Sequence, residues 1–302
     1  MPTSTAIGLV LARPPRLLGH EPFFGELIAG IEEILGAEEK SLLLHVVPDH
    51  ASEIAAYHRW MAGNMVGAVV VVNLIEEDLR IAVLQELGMP AVVLGGPSTG
   101  MPFTNVWVDD AQGTRDAVAY LAGLGHRTLA RVSGPHRLAH TRARSDAFSN
   151  ECRKWSTDCT IIEGDYTEEK GRHAARSLLG RHEAPTAIIF DNDIMALAAL
   201  SVAGEMHVRV PEQLSLLAWD DSAMCRLASP TLSAMVIDVH GMGQLVGTCV
   251  LNTLAGGPVR SYAGPMPRLT ARGSTGAPTL ARPTAAPAPN GSPEVTTQSP
   301  EA

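Results

Sequence analysis

The sequence predicts an α/β protein of two similar lobes, each a parallel sheet with helices on both faces, with a cleft between them. Three observations carry this. Strand and helix patterns alternate through most of the chain with connections of a few residues, the signature of parallel sheets wrapped by helices. Several strand segments are continuous apolar runs, such as VGAVVVV at 66–72, which marks strands buried on both faces. The alternation also comes in two blocks, each long enough for its own sheet, and a cleft between lobes is a common place for a ligand.

In the first block, residues 6–12 form an apolar strand stopped by Arg13-Pro14-Pro15. Residues 23–35, FFGELIAGIEEIL, form a helix with Phe24, Leu27, Ile31 and Ile34 on one face and Glu26, Glu32 and Glu33 on the others. Strands at 42–47, 66–72 and 91–94 are separated by helices at 51–61 and 76–87. A short strand at 105–108 leads into an amphipathic helix at 110–124, closed by Gly125. The second block has strands at 128–132, 160–163, 187–190 and 214–219, with helices at 141–155, at 167–179 and after Asp191-Asn192-Asp193. A strand at 232–239 and a helix over 242–254, stopped by Gly256-Gly257-Pro258, complete the folded part. From residue 276 the chain is rich in Pro, Ala, Ser and Thr with almost no large apolar residue. It is predicted to be disordered, because it cannot bury enough surface to offset its ordering entropy.

Composition narrows the function. At 302 residues with 45% apolar content, the chain has ample core for one large domain or two medium ones. A formal net charge of −9 argues against its gripping nucleic acid or an anionic membrane by itself. Its four cysteines, Cys152, Cys159, Cys225 and Cys249, lack metal-type spacing and are expected as reduced structural thiols. The amino terminus does not read as a signal peptide and no apolar run approaches a membrane span. A cytoplasmic protein without a membrane contact is expected.

Several constellations are weighed and set aside. There is no P-loop, no G-x-G-x-x-G after a strand and no G-x-S-x-G elbow. His136 and His140 have a spacing that suits two ligands on one helical face, but they follow Gly134-Pro135, where a loop is expected, and lack a third ligand. No metal or cofactor is expected. The pairs Asp109-Asp110 and Asp220-Asp221 suit acid–base chemistry, yet helix capping and hydroxyl acceptance at strand ends require no further partner. No nucleophile–base pair supports an enzyme.

What remains is a set of groups at strand ends expected to face the cleft: Arg144, Asn192 and Asp220, with the aromatics Phe24, Tyr166 and Trp219. Arg offers a rigid fork of donors, and Asp and Asn bond hydroxyls. Aromatic faces pack on sugar rings or nucleobases. Such a set fits a small polyhydroxylated or ring-shaped ligand, although capping alone also accounts for Asn192 and Asp220.

The segments PFFGELIAGIEE, VGAVVVV, VWVDDAQGTRDAVAYLAGLGHRTLARVSGP, PTAIIFDNDIMALAAL, VPEQLSLLAWDD, SPTLSAMVIDVHGMGQLVGTCVL and LTARGST occur in an order and spacing that resemble one family. It is the effector-binding region of the lactose-repressor/galactose-repressor (LacI/GalR) regulators, and the likeness spans residues 7–275. It implies a fold like that of periplasmic sugar-binding proteins of type I: two doubly wound, Rossmann-like lobes joined by three crossovers, near Gly125, Ile237 and Gly257. The lobes would then be 5–125 with 238–257, and 126–237 with 258–275, followed by a disordered tail at 276–302.

The resemblance also implies roles. Phe23 and Phe24 match the aromatic pair that begins the family's first helix, and Arg144 matches the cleft arginine of an R-x-x-G-F pattern, in which Ala147 here replaces the glycine. Asn192 matches the polar residue of the N-D-x-M-A turn, Asp220 the first aspartate of the F/Y-D-D turn, and Tyr166 a stacking aromatic. Asp193 and Asp221 are expected to cap helices. The expected function is ligand sensing by a homodimeric, non-enzymatic regulator that binds a sugar-like or purine effector. DNA would be reached only through a helix-turn-helix domain not found in this chain. The alternative is a stand-alone or transport-type sugar-binding protein.

Overall fold

The computed structural model describes residues 5–13, 22–96 and 99–278. Pro14 and Pro15 of the expected loop lie outside them, and so does the tail expected to be disordered from 276 except residues 276–278, where Gly276 is hydrogen-bonded to Ser215 and His126. The first lobe opens with β1 (Ala6–Ala12), α1 (Pro22–Gly36), β2 (Ser41–Val47), α2 (His50–Ala62), β3 (Ala68–Val71), α3 (Leu79–Leu87), β4 (Ala91–Leu94) and β5 (Thr104–Trp107). Then come α4 (Asp110–Gly123), β6 (Thr128–Ser133), α5 (Ala139–Lys154), β7 (Asp158–Glu163), α6 (Glu168–Leu179), β8 (Ala187–Phe190), α7 (Asp193–Glu205), β9 (Ser215–Trp219), α8 (Ala223–Leu227) and β10 (Ser233–Val236). The chain continues through α9 (Val239–Leu254), β11 (Ser261–Ala263) and β12 (Arg268–Thr270). The short α8, β11 and β12 have too little periodicity to be read from sequence.

Two six-stranded sheets form, in the orders β11-β5-β4-β3-β1-β2 and β12-β10-β9-β8-β6-β7. Every pairing is parallel except β10 with β12. Both sheets are doubly wound, and the strands serve a core on each face as the period of two requires. On β3, Ala68 and Val70 join the core beneath α1 and α9, while Val69 and Val71 join the one beneath α2 and α3. On β8, Ile188 and Phe190 face α6 and α7, and Ala187 and Ile189 face α4 and α5. Among the described residues no helix is long and apolar enough to cross a membrane.

Two expected lobe boundaries are corrected. Helix α4 packs on the second sheet, not the first: Ala117, Val118 and Leu121 share an apolar cluster with Phe148, Leu217 and Trp219. The chain therefore changes lobes between Trp107 and Asp110, before the helix rather than after it. Gly113 allows this seating, since a Cβ there would stand 2.9 Å from the Trp219 ring. Segment 258–264 also stays with the first sheet, because β11 pairs with β5 and only β12 pairs with β10. Alternation in a sequence counts helices but does not say which sheet a helix covers.

The return through α9 depends on small residues. Helix α9 lies against α1, and Gly30 and Gly243 are where the two backbones meet. A Cβ on Gly243 would collide with the carbonyl oxygen of Leu27, and one on Gly30 with that of His240.

Candidate ligand-binding cleft

A cavity of about 690 Å³ lies between the lobes, within the size range of small-molecule sites. In doubly wound sheets, ligands bind beyond the carboxyl ends of the strands where the strand order reverses. Here that is the β1/β3 position of one sheet and the β6/β8 position of the other. Arg13 after β1, Val72 and Asn73 after β3, and Asp191 and Asn192 after β8 all border the cavity.

Helix α5 brings the central arginine. Its first N–H, on Ala139, donates to the Leu74 carbonyl of the other lobe at 2.8 Å, and Ile75 and Leu138 form an isolated antiparallel bridge beside it. One turn on, Arg144 donates from Nε and Nη2 to Oδ1 of Asp110, at 2.8 and 2.6 Å. Its guanidinium lies 3.6 Å from the centroid of the Trp219 ring. Burial opposes the arginine's charge, but Asp110, Asp191, Tyr166 and Asp220 outweigh it, so Arg144 is held above its ordinary pKa. Arg144 is thus fixed before any ligand arrives.

Asp220 follows β9 with φ of 67°, a left-handed conformation that aspartate tolerates better than most residues. Among the described residues no group donates a hydrogen bond to its carboxylate, which borders the cavity. Burial lifts its pKa, Arg144 lowers it, and Asp193, Asp191 and Asp110 lift it again, to about 7. Asp221 also borders the cavity but is already engaged: Arg272 donates to both of its carboxylate oxygens at 2.7 Å and Arg226 adds a third bond. The capping role expected for Asp221 is corrected by this ion pair.

Asn192 is the residue that caps α7. Its Oδ1 accepts from Met195 N at 3.0 Å and its Nδ2 donates to the Tyr166 carbonyl at 2.9 Å. The amide borders the cavity with both ends already engaged by protein. Asp193, for which the cap was expected, instead accepts from Ser222 N at 3.3 Å. Asp191 pairs with the fully buried Arg131 at 2.8 and 2.6 Å and accepts from Gly134 N at 2.9 Å. Tyr166 also has a left-handed backbone, with φ of 70°, and its hydroxyl is hydrogen-bonded to His140 Nε2 at 2.9 Å and Thr141 Oγ1 at 3.3 Å. Burial and the Arg144 charge hold His140 down to about 4, so it is neutral. Phe23 and Phe24 meet edge-to-face at 5.3 Å, with Arg13 over the Phe24 ring at 4.3 Å.

A model of the periplasmic binding protein-like domain family matches residues 118–275. The crystal structure of a LacI family transcriptional regulator from Bifidobacterium animalis subsp. lactis superimposes with a TM-score of 0.84 at 33% identity, over 91% of this chain and 99% of that one. The chain belongs to the LacI family.

Two further relatives are a transcriptional regulator CelR–cellobiose complex and a transcriptional repressor. The first has a TM-score of 0.81 and 25% identity, over 91% of this chain and 86% of that one. The HTH-type transcriptional repressor PurR of Klebsiella pneumoniae is 29% identical over 242 residues, which is 77% of this chain and 68% of the relative. In this LacI-family chain the cavity is bordered by Phe23, Phe24, Arg144, Tyr166, Asn192 and Asp220, among others. Trp219 is not among the residues around it: the indole is 1% exposed and lies beneath Arg144. Its expected place against the ligand is corrected, because β9 turns that side chain into the core shared with α4 and α5.

Sequence reasoning missed Arg13, Asp110, His140 and Asp191 as cavity residues. The rule that ligands meet strand ends could have found Arg13 and Asp191. The paired acids Asp109-Asp110 were visible, but the approach of Asp110 to Arg144 was not. His140 Nε2 is hydrogen-bonded to the Tyr166 hydroxyl, and among the described residues no group of three metal-ligating side chains exists.

Proposed function

We propose that this region senses a small sugar-like effector held in the cleft between its lobes. The observation that carries the reading is the free Asp220 carboxylate beside an arginine already aligned by Asp110 and Trp219. Asp220 would accept from ligand hydroxyls while Arg144 donates, and Phe23, Phe24 and Tyr166 would line the ring faces. Asn192 would act by holding the Tyr166 turn. Leaving such buried groups unpaired costs about 1–3 kcal/mol each, which selects among hydroxyl patterns.

The cellobiose-bound relative supports a saccharide. In the cell the chain would act as a cytoplasmic homodimer with no catalytic role. The ligand's preference for one arrangement of the lobes would be passed to a helix-turn-helix segment that reads DNA. An acidic chain of net charge −9 fits a division in which phosphate contacts come from elsewhere. The test is Arg144→Ala in calorimetric titration against mono- and disaccharides: binding is expected to disappear while the circular dichroism stays native. Unchanged affinity would sink the assignment.

A further inference from the structure

The charges at the second-lobe end of the cavity narrow the ligand class further than hydroxyl recognition does. The carboxylates and guanidiniums at the second-lobe end are matched in pairs with two exceptions. Asp110 offsets Arg144, Asp191 offsets Arg131, and Asp221 is held by Arg272 and Arg226. Asp193 and Asp220 have no cationic partner within ion-pair distance among the described residues. Asp193 is buried at the start of α7, where the helix amino terminus and Ser222 N receive it. Asp220 borders the cavity without that support.

Arg144 is poorly placed as an anion receptor. Two of its nitrogens are committed to Asp110 and the face of its guanidinium to Trp219, leaving remaining donors that stand in the field of both Asp110 and Asp220. An anionic group brought to those donors would sit against two carboxylates in a partly desolvated site, where like charges repel more strongly than in water. A hydroxyl has no such penalty and supplies the donor that Asp220 lacks.

Resting on the sugar-binding reading above, we infer that the effector is an uncharged polyol and that Asp220 makes the cleft reject phosphorylated or carboxylated counterparts of the same sugar. The charged groups acting on Asp220 agree with this: Arg144 from α5, Asp110 from α4, and Asp191 and Asp193 from the β8–α7 turn. Only one of these is cationic.

The experiment titrates the whole chain by calorimetry at pH 8 with matched probes: glucose against glucose 6-phosphate and gluconate, and cellobiose against cellobionate, repeated with Asp220→Asn. A neutral member is expected to bind at least about tenfold more tightly than its anionic counterparts, with the ratio shrinking in Asp220→Asn. An anionic member that binds as tightly as its neutral partner overturns this inference and leaves the cleft reading standing. A ratio unchanged by Asp220→Asn also overturns it, since the discrimination would then come from elsewhere. Failure of every probe to bind overturns both readings.

Discussion

The guanidinium of Arg144 lies 3.6 Å from the centre of the Trp219 ring, and the indole itself stays out of the cavity. Trp219 is therefore a platform: it acts on a ligand through the arginine it orients. A cation over a desolvated indole is worth up to about 2 kcal/mol. Trp219→Leu is expected to weaken sugar binding roughly tenfold, and Trp219→Phe, which keeps an aromatic face, less. Calorimetry with circular dichroism as a fold control checks the order; equal affinities for the two variants would remove the platform role.

Asp220 makes stability depend on pH in a direction opposite to that of most carboxylates. Its carboxyl titrates at about 7 in the fold against an ordinary value of 3.8. Between those values the folded chain keeps a proton that the unfolded chain releases, so stability is lost as pH rises through the window. His140, held down to about 4, works the other way between 4 and its ordinary 6.5, which is why the comparison must be between variant and parent. Asp220→Asn is expected to be more stable than the parent at pH 8 by about 1–3 kcal/mol, with the gap closing by pH 4. Thermal melts at both pH values decide it.

Arg80 holds a loop that reaches both the cavity and the second lobe. It is 2% exposed, and it donates to Glu53 at 2.8 Å, to Asp78 at 2.8 and 2.6 Å, and to the carbonyl of Asn73 at 3.0 Å. Asn73 borders the cavity, and Ile75 in the same loop bridges to Leu138. Arg80→Met would leave Glu53 and Asp78 buried without their cation. It is expected to destabilise the protein by about 3–5 kcal/mol, read from the urea midpoint; a loss under about 1 kcal/mol would show that the cluster is not needed.

Gly243 and Gly204 should respond to alanine with opposite signs. A Cβ on Gly243 meets the Leu27 carbonyl oxygen, which cannot swing aside as a side chain would, so about 1–3 kcal/mol is expected to be lost. Gly204, near the end of α7, has nothing within 4 Å of an added Cβ. Gly204→Ala should be neutral or stabilising by up to about 1 kcal/mol. Paired chemical denaturation curves test the contrast.

By itself, the sequence determined the longer elements and the likeness to the LacI family. Apolar runs such as AVVL at Ala91–Leu94 and AIIF at Ala187–Phe190 are buried on both faces, so their composition alone marks them as strands. The polar residues at strand ends were legible too, because a carboxylate or amide that interrupts such a run marks where the strand leaves the core. What only the tertiary structure decided is which partner each polar group finds. Asn192 caps its own helix and holds Tyr166, Asp221 goes to Arg272, and Asp220 alone of these three is left to the cavity. The same holds for α4, whose apolar face is plain in the sequence and whose choice of the second lobe rests on a fit between Gly113 and Trp219. Periodicity is a local property of neighbouring residues, whereas these choices join groups far apart in the chain, and packing alone settles them.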